Sequence, residues 1–228
     1  MLTRTGLASV ALAAVVAVSL TGCSGSSSDE DPSSDGSATS SQGSDTEDAA
    51  PYLPVPDGVE LTPQGSELEV PGAAVVAYEP RQGTVGVLDL DVTKLEKTTI
   101  KESFGAWVLK DAQKKSTPYF VTVKVENVGD TDLGDQEVPL YVVNDQNVLL
   151  ESTPFASNFT ACPSTALPKK FGPGKKATMC LVYLAPDKGS LEAVSFRPEE
   201  TFDPITWTGK VTTYQKPKPE KKDDKKKS

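Results

Sequence analysis

Between residues 51 and 214 the chain consists of short runs of alternating apolar and polar residues, separated by glycine, proline, asparagine and aspartate. The run 88–92 alternates aliphatic residues with aspartate, and the run 120–126 alternates valine with threonine, lysine and glutamate. A period of two places each set of side chains on its own face of a β-strand. Because helical periodicity is not sustained in this region, the pattern predicts an all-β, antiparallel domain.

Eight runs have the length and composition of strands. They are 73–78, 88–92, 120–126, 138–143, 148–151, 177–185, 191–196 and 205–209. Seven or eight short strands with turns between them predict a two-sheet β-sandwich. Residues 178–184 are apolar on both faces, so we expect a central strand there. Pro139 cannot donate a ladder hydrogen bond, so its strand begins there or lies at an edge.

The first 22 residues have the pattern of an export signal. A single Arg4 precedes an apolar run that is too short to span a membrane, which is typical of a secretory signal. The run ends in Leu20-Thr21-Gly22-Cys23, which resembles the bacterial lipobox. We therefore expect residues 1–22 to be a lipoprotein signal peptide. Lipid (palmitate) on Cys23 would then hold the protein on the extracytoplasmic face of the cell membrane.

The two ends of the mature chain do not have the composition of a folded domain. Residues 23–50 are rich in serine, glycine and aspartate and cannot bury enough apolar surface to fold, so we interpret them as a disordered tether. Residues 215–228 carry seven lysines and three acidic residues. This segment is predicted to be a disordered, solvated tail. Alternatively it contacts anionic lipid or wall polymers, or folds back on the acidic tether.

Composition restricts the chemistry that the domain can perform. The chain has no histidine, which removes histidine-based nucleophile systems and histidine-ligated zinc sites. Its formal net charge is -9, and an exported acidic protein is a poor partner for nucleic acid. We expect no cofactor and no enzymatic activity. An envelope enzyme that uses carboxylates or a Ser-Lys pair is the least favoured alternative.

Two cysteines remain once Cys23 is lipidated. Outside the cell, Cys162 and Cys180 are expected to form a disulfide that ties the loop before Phe171 to the next strand. A redox-active pair is the alternative, but the spacing is not that of a Cys-x-x-Cys motif.

A family resemblance appears in three segments. They are Tyr119-Phe-Val-Thr-Val-Lys-Val-Glu-Asn-Val-Gly129, the segment from Phe171-Gly-Pro-Gly to Ala185-Pro186, and Ile205-Thr-Trp207. Over roughly half the chain they resemble the immunoglobulin-like domain of unknown function of Gram-positive, especially actinobacterial, lipoproteins. Mycobacterial secreted immunoprotective antigens share that type of sandwich. The resemblance implies an immunoglobulin-like fold and brings no catalytic residues.

Two groups of residues are weak candidates for a site. Asp130, Asp132 and Asp135 are closely spaced carboxylates that suit calcium, although a solvated hairpin turn fits the same residues. Trp107 and Trp207 are candidates for an aromatic contact surface, although tryptophans at such positions also pack as core.

Two functions remain in view. The first is a membrane-anchored binding module that contacts an envelope protein or wall polymer. The second is a carrier for a small ligand or lipid, with a pocket between the sheets. The sequence does not name the partner.

Overall fold

The computed structural model of the protein describes residues 51–155 and 157–216. The predicted signal peptide 1–22, Cys23, the tether 23–50 and most of the tail 215–228 lie outside the described residues. No helix within the described part is long and apolar enough to cross a membrane.

Within these residues the structure is mostly β, with ten strands and two short helices. The strands are β1 Glu67–Glu69, β2 Gly72–Arg81, β3 Thr84–Lys97, β4 Thr117–Asn127, β5 Tyr141–Asn144, β6 Leu149–Leu150, β7 Lys176–Ala185, β8 Leu191–Phe196, β9 Ile205–Thr208 and β10 Val211–Thr213. Helices α1 (Ile100–Ser103) and α2 (Asp111–Lys114) lie between β3 and β4, and a 3₁₀ turn at Pro186–Lys188 follows β7.

The strands form two sheets. The first has the order β1-β9-β8-β5-β6, and the second has the order β10-β3-β4-β7 with β2 also paired to β3. Most pairs are antiparallel, which confirms the predicted two-sheet sandwich, but β1 runs parallel to β9 and β10 runs parallel to β3. The structure has ten strands where seven or eight were predicted. The two strands that were not predicted, β1 and β10, have only three residues each. Such short strands carry no readable alternation.

The main core lies between the two sheets. The aliphatic residues of 88–92 and 120–126 are at most 1% exposed and contribute to this core, as their alternation predicts. Trp207 on β9 is fully buried among them, and its indole Nε1–H donates to the carbonyl oxygen of Gly72 at 2.9 Å. This hydrogen bond joins β9 of one sheet to the start of β2 in the other. It also provides the partner that a buried indole N–H requires.

A second, smaller core covers the outer face of the second sheet. Phe120 of β4 and Val182 of β7 pack there with Phe104, Phe159 and Tyr214. Phe104 stacks on Phe159 with ring centroids 4.7 Å apart, and Phe120 meets Tyr214 edge-on at 4.9 Å. The second sheet is therefore buried on both of its faces near β4 and β7.

The expectation that residues 178–184 form a central strand is wrong. In the sheet order β7 is a terminal strand. It is apolar on both faces because Leu181 and Tyr183 face the main core while Val182 faces the second one. Its open edge is covered by the preceding loop, since the backbone N–H of Thr153 donates to Val182 and that of Ser164 to Cys180.

The predicted disulfide between Cys162 and Cys180 is present, with the two Cα atoms 5.2 Å apart. It attaches the loop that carries Phe159 to β7, as the sequence predicts. Cross-linking a loop of this size removes chain entropy from the unfolded state, which is worth about 3 kcal/mol. The bond lies in the second core, because Cys162 is fully buried there and Cys180 packs against it.

Asn127 at the end of β4 organises the turn that follows. Its fully buried side-chain amide donates to the carbonyl oxygens of Thr131 at 2.7 Å and Phe171 at 2.6 Å, and its Oδ1 accepts from the N–H of Gly129 at 3.0 Å. The predicted turn at 127–130 is thus fixed by one side chain. Through Phe171, the same side chain also holds the segment that leads into β7.

We expect Asn127→Asp to lower the free energy of unfolding by about 2–4 kcal/mol, measured by urea denaturation at neutral pH. A carboxylate has the shape of the amide but cannot donate, so two buried carbonyl oxygens would lose their partner and face a negative charge. The matched control is Asn158→Asp, because Asn158 is exposed. Equal stability of the two variants would contradict the role given to Asn127.

Candidate functional site

A cleft of about 700 Å³ opens at one end of the sandwich. Its walls come from the end of β2, the segment that leads into β5, the residues that follow β6, the loop between β8 and β9, and the residues at the start of the described chain. Ligand pockets commonly have volumes of about 300–1,000 Å³. Both sheets contribute to the walls, so the cleft lies where the sandwich opens and not inside its packed core.

Carboxylates surround the cleft. Five acidic side chains line it, and all five are exposed: Glu79, Asp135, Glu137, Glu151 and Glu199. The lining contains no lysine or arginine. In the part of the chain that the structure describes, none of the five carboxylates belongs to an ion pair. The cleft is therefore lined by exposed carboxylates and by no cationic side chain.

Tyr78, one of the residues that line the cleft, has a hydroxyl without a partner. The residue is 7% exposed and lies on β2, where its ring belongs to the main core. Its hydroxyl oxygen is buried and has no hydrogen-bond partner among the described residues. Burial raises the pKa of Tyr78 to about 12, because the phenolate loses hydration there. A buried polar group without a partner is costly, and such groups often mark places where a ligand or water completes the structure.

The N-terminal segment forms an aromatic wall of the cleft. The Tyr52 ring meets Phe202 edge-on with centroids 4.9 Å apart, and Phe202 packs against Phe196 of β8. The Tyr52 hydroxyl accepts from the backbone N–H of Ala77 on the open edge of β2 at 3.0 Å. Tyr52 is thus held by β2 and by the loop between β8 and β9, although it precedes the first strand by more than a dozen residues.

The acidic wall of the cleft is fixed by the turn after β4. The Asp132 carboxylate accepts from the N–H of Phe171 and the N–H of Gly134, each at 2.9 Å, and these bonds lower the pKa of Asp132. A Cβ on Gly134 would lie 2.1 Å from the carbonyl oxygen of Lys169, so only glycine fits this approach. Farther along, the Tyr183 hydroxyl donates to the carbonyl oxygen of Leu140 at 2.8 Å. The acidic segment 135–139 is therefore anchored at both ends.

A second, shallower depression lies on the outer face of the second sheet. Two of its three carboxylates have lysine partners: Lys124 lies 3.1 Å from Asp91, and Lys176 lies 2.7 Å from Glu126. The third, Asp89, has no ion-pair partner among the described residues. Burial, together with the nearby Glu126 and Asp91 charges, raises the pKa of Asp89. Two of the three carboxylates of this depression are thus paired within the domain, in contrast to those of the end cleft.

The calcium candidate is not supported as a cluster. Asp130, Asp132 and Asp135 do not converge, since Asp132 is occupied by backbone N–H groups and Asp135 lines the cleft. Among the described residues, no three acidic, histidine or cysteine side chains are placed to hold a metal ion. The alternative, an ordinary turn, is what the structure has at Asp132.

The two tryptophans do not form a common contact surface, which corrects that expectation. Trp207 is core and fully buried. Trp107 is half-buried and packs against the second core, where its ring meets Phe155 edge-on at 5.0 Å and Phe159 at 5.8 Å. Neither tryptophan lines the cleft. The neighbouring Val108 is fully exposed.

Of the cleft residues, only Asp135 was a candidate site residue from the sequence. The others are contributed by separated segments, so no local motif marks them. One sequence signal could have pointed to the cleft. At the end of a predicted strand, Tyr78 is followed directly by the charged residue Glu79.

Comparison with known proteins adds the following. No protein-family model matches the chain, and no curated protein sequence matches it. Among solved structures, it is similar to MPT63, a secreted protein of Mycobacterium tuberculosis, with 13% sequence identity and a TM-score of 0.44. The match covers 62% of this chain and 95% of MPT63. A similarity at this level carries no functional argument.

We expect Tyr78→Phe to leave stability at neutral pH unchanged or to raise it by about 1 kcal/mol, because it removes a hydroxyl without a partner. At alkaline pH the effect grows. Tyrosine in the unfolded chain loses its proton near its ordinary pKa of 10.0, whereas folded Tyr78 keeps its proton until the pH reaches about 12. Between these values the unfolded state binds fewer protons, so stability falls by about 1.4 kcal/mol per pH unit for this group.

The measurement is urea denaturation of the wild type and Tyr78→Phe from neutral pH to pH values above 10. The variant should lose less stability above pH 10 than the wild type. Tyr141→Phe is the matched control, since Tyr141 also lines the cleft but is only half-buried. An alkaline loss in Tyr78→Phe as steep as in the wild type would refute the assignment.

Proposed function

We propose that this chain is an exported lipoprotein that presents its β-sandwich as a binding module on the extracytoplasmic face of the cell membrane. We also propose that the chain belongs with the actinobacterial lipoproteins whose immunoglobulin-like domain its strands resemble. The lipobox at Cys23 supports the anchoring, and the two-sheet architecture agrees with the resemblance. The partner in this proposal is an envelope protein or a wall polymer.

The cleft is the observation that carries the binding role. It combines a volume suited to a ligand, five carboxylates without ion-pair partners among the described residues, and the buried hydroxyl of Tyr78. Exposed carboxylates that have no ion-pair partner within the described residues are available to charged or polar groups of a partner.

The second candidate is a carrier for a small ligand. The cleft volume of about 700 Å³ favours it, since a drug-sized molecule fits such a space. In this case the ligand would bind at the end of the sandwich and not between the sheets, where the sequence led us to expect a pocket. The inter-sheet space is filled by side chains such as Trp207, Tyr119 and Tyr183, each at most 2% exposed.

The anchoring is tested by Cys23→Ser. We expect this variant to lose lipid labelling and to accumulate as uncleaved precursor or to be released from the membrane. Metabolic labelling with a fatty acid and membrane fractionation measure both effects. Ser24→Ala, one residue away, should keep the lipid label, whereas unchanged labelling of Cys23→Ser would refute lipidation at this cysteine.

The binding role is tested by photo-crosslinking in living cells. We expect Gln136→p-benzoylphenylalanine, which places the probe in the cleft wall, to capture a reproducible protein or wall fragment. Gln146→p-benzoylphenylalanine is the matched control, because Gln146 is exposed and does not line the cleft. A captured protein supports the binding module, and a captured metabolite supports the carrier. Identical patterns from both positions would remove the cleft as the binding site.

A further inference from the structure

Residues 105–110, which connect α1 to α2 and are called the Val108 loop below, present an apolar side chain to solvent. Among the described residues, Val108 is the one large apolar residue that is fully exposed, whereas Val148 and Leu149 are exposed only in part. Its neighbours Trp107 and Leu109 are half-buried and pack against the second core. Three consecutive apolar residues are thus divided between the core and the solvent.

The Val108 loop is held from below by the second core. The backbone N–H of Trp107 donates to the carbonyl oxygen of Phe104 at 2.9 Å, and the Trp107 ring meets Phe155 edge-on. The disulfide at Cys162 attaches the neighbouring aromatic loop to β7. Because the residues on both sides of it are packed on this core, the exposed valine is fixed in place and has little freedom to bury itself.

A single exposed apolar side chain is common on protein surfaces, so the charges near the loop decide what it can contact. Residues 100–116 contain four lysines and two acidic residues, in a chain whose formal net charge is -9. All four lysines are exposed, and one of the two carboxylates, Asp111, is already paired with Lys114 at 2.8 Å. The facing segment 154–160 contains no charged residue. The Val108 loop therefore lies in a basic region of an acidic protein.

The lysine-rich C-terminal segment begins at the same core. Tyr214 meets Phe120 edge-on at 4.9 Å, and its backbone N–H donates to the carbonyl oxygen of Lys97 at 2.9 Å. Residues 215–228, with seven lysines and three acidic residues, follow directly. A second basic segment of the sequence thus starts beside the core that carries the Val108 loop.

A bilayer that contains anionic lipid fits this combination better than a protein partner does. A protein interface of standard size buries about 800 Å² on each partner, which three apolar residues cannot provide. A lipid surface needs no complementary shape. Tryptophan favours the boundary between head groups and acyl chains, and exposed lysines are attracted to anionic head groups.

We propose that the Val108 loop docks the domain on the surface of a bilayer that contains anionic lipid. Val108 and the edge of Trp107 enter the head-group region, while the lysines of 100–116 and of the C-terminal segment contact the head groups. This inference rests on the proposed function in one respect, since the lipid on Cys23 keeps the domain beside a bilayer. A tether of 28 residues spans up to about 90 Å when extended, more than the roughly 40 Å width of such a domain, so either end can reach the surface.

Docking through this loop directs the cleft away from the bilayer. The loop follows the end of β3 and precedes β4, where Lys97 pairs with Tyr119. The cleft lies beside the opposite end of β3, where Tyr78 pairs with Gly86. The lipid surface and a partner in the cleft would therefore occupy opposite ends of the second sheet.

The test is quenching of tryptophan fluorescence by brominated lipid. The full-length lipoprotein is purified from membranes and reconstituted into brominated phosphatidylcholine vesicles, with or without phosphatidylglycerol. The chain has two tryptophans and Trp207 is fully buried, so the quenched signal comes from Trp107 and should vanish in Trp107→Phe. We expect the ratio of docked to undocked protein to be at least about tenfold larger on the anionic vesicles.

The apolar contact is tested by Val108→Asp. The position is fully exposed, so the change leaves both cores intact, and we expect about a tenfold fall in the docked ratio. Val148→Asp is the matched control, since it makes the same chemical change on the hairpin between β5 and β6. The control should keep the quenching of the wild type.

The charge contribution is tested by Lys110→Gln combined with Lys115→Gln. We expect about a tenfold fall in the docked ratio on anionic vesicles. Lys169→Gln with Lys170→Gln removes the same charge from exposed positions beside Gly134, with a change of about twofold or less.

Flotation with neutral vesicles measures the lipid anchor separately from docking. Protein that fails to float with them would contradict lipidation, and anionic vesicles added to that protein would still report docking through quenching. Absence of quenching on anionic vesicles would overturn the docking proposal even if the protein floats. Equal losses in the loop variants and their controls would overturn it as well.

Discussion

The side chain of Asn127 is the contact on which the open end of the sandwich depends. It satisfies two carbonyl oxygens from different segments and one backbone N–H of its own turn, and it does so without exposure to water. The turn after β4 would otherwise bury unsatisfied polar groups, at a cost comparable to a lost hydrogen bond for each. Asp132 repeats the arrangement closer to the surface. The acidic wall of the cleft is held in place by these two side chains.

The two ends of the second sheet have different surroundings. At one end, aromatic residues from the loops close over β4 and β7, and the disulfide holds that cover in place. At the other end, the outer face of the sheet is polar and the sheets diverge into the cleft. Of the second sheet, only the end of β2 lines the cleft, and hydrogen bonds in the adjoining turns hold the acidic wall.

The alternation of 88–92 and 120–126 identified the inter-sheet core because each strand has one buried face. The same reasoning failed for β7, where both faces are apolar for a reason that lies in the loops and not in the sheet order. The three-residue strands β1 and β10 form because β9 and β3 offer them unpaired backbone groups, so their own residues carry no signal. The cleft was not predictable for a related reason. Its walls come together only through tertiary packing. In the sequence, Tyr78 has the pattern of an ordinary core residue, and only the structure shows that its hydroxyl lacks a partner.

Because Tyr52 lines the cleft, the first residues of the folded domain are part of the cleft. Its hydroxyl bonds to Ala77 and its ring packs on Phe202, so a residue next to the low-complexity segment forms part of the lining. A recombinant version trimmed a few residues too far, or fused closely to a purification tag, would keep both sheets and the disulfide and still lose a wall. Such a protein would pass every check of folding while its binding surface was incomplete. The residue at which a recombinant protein begins therefore affects its binding surface as well as its solubility.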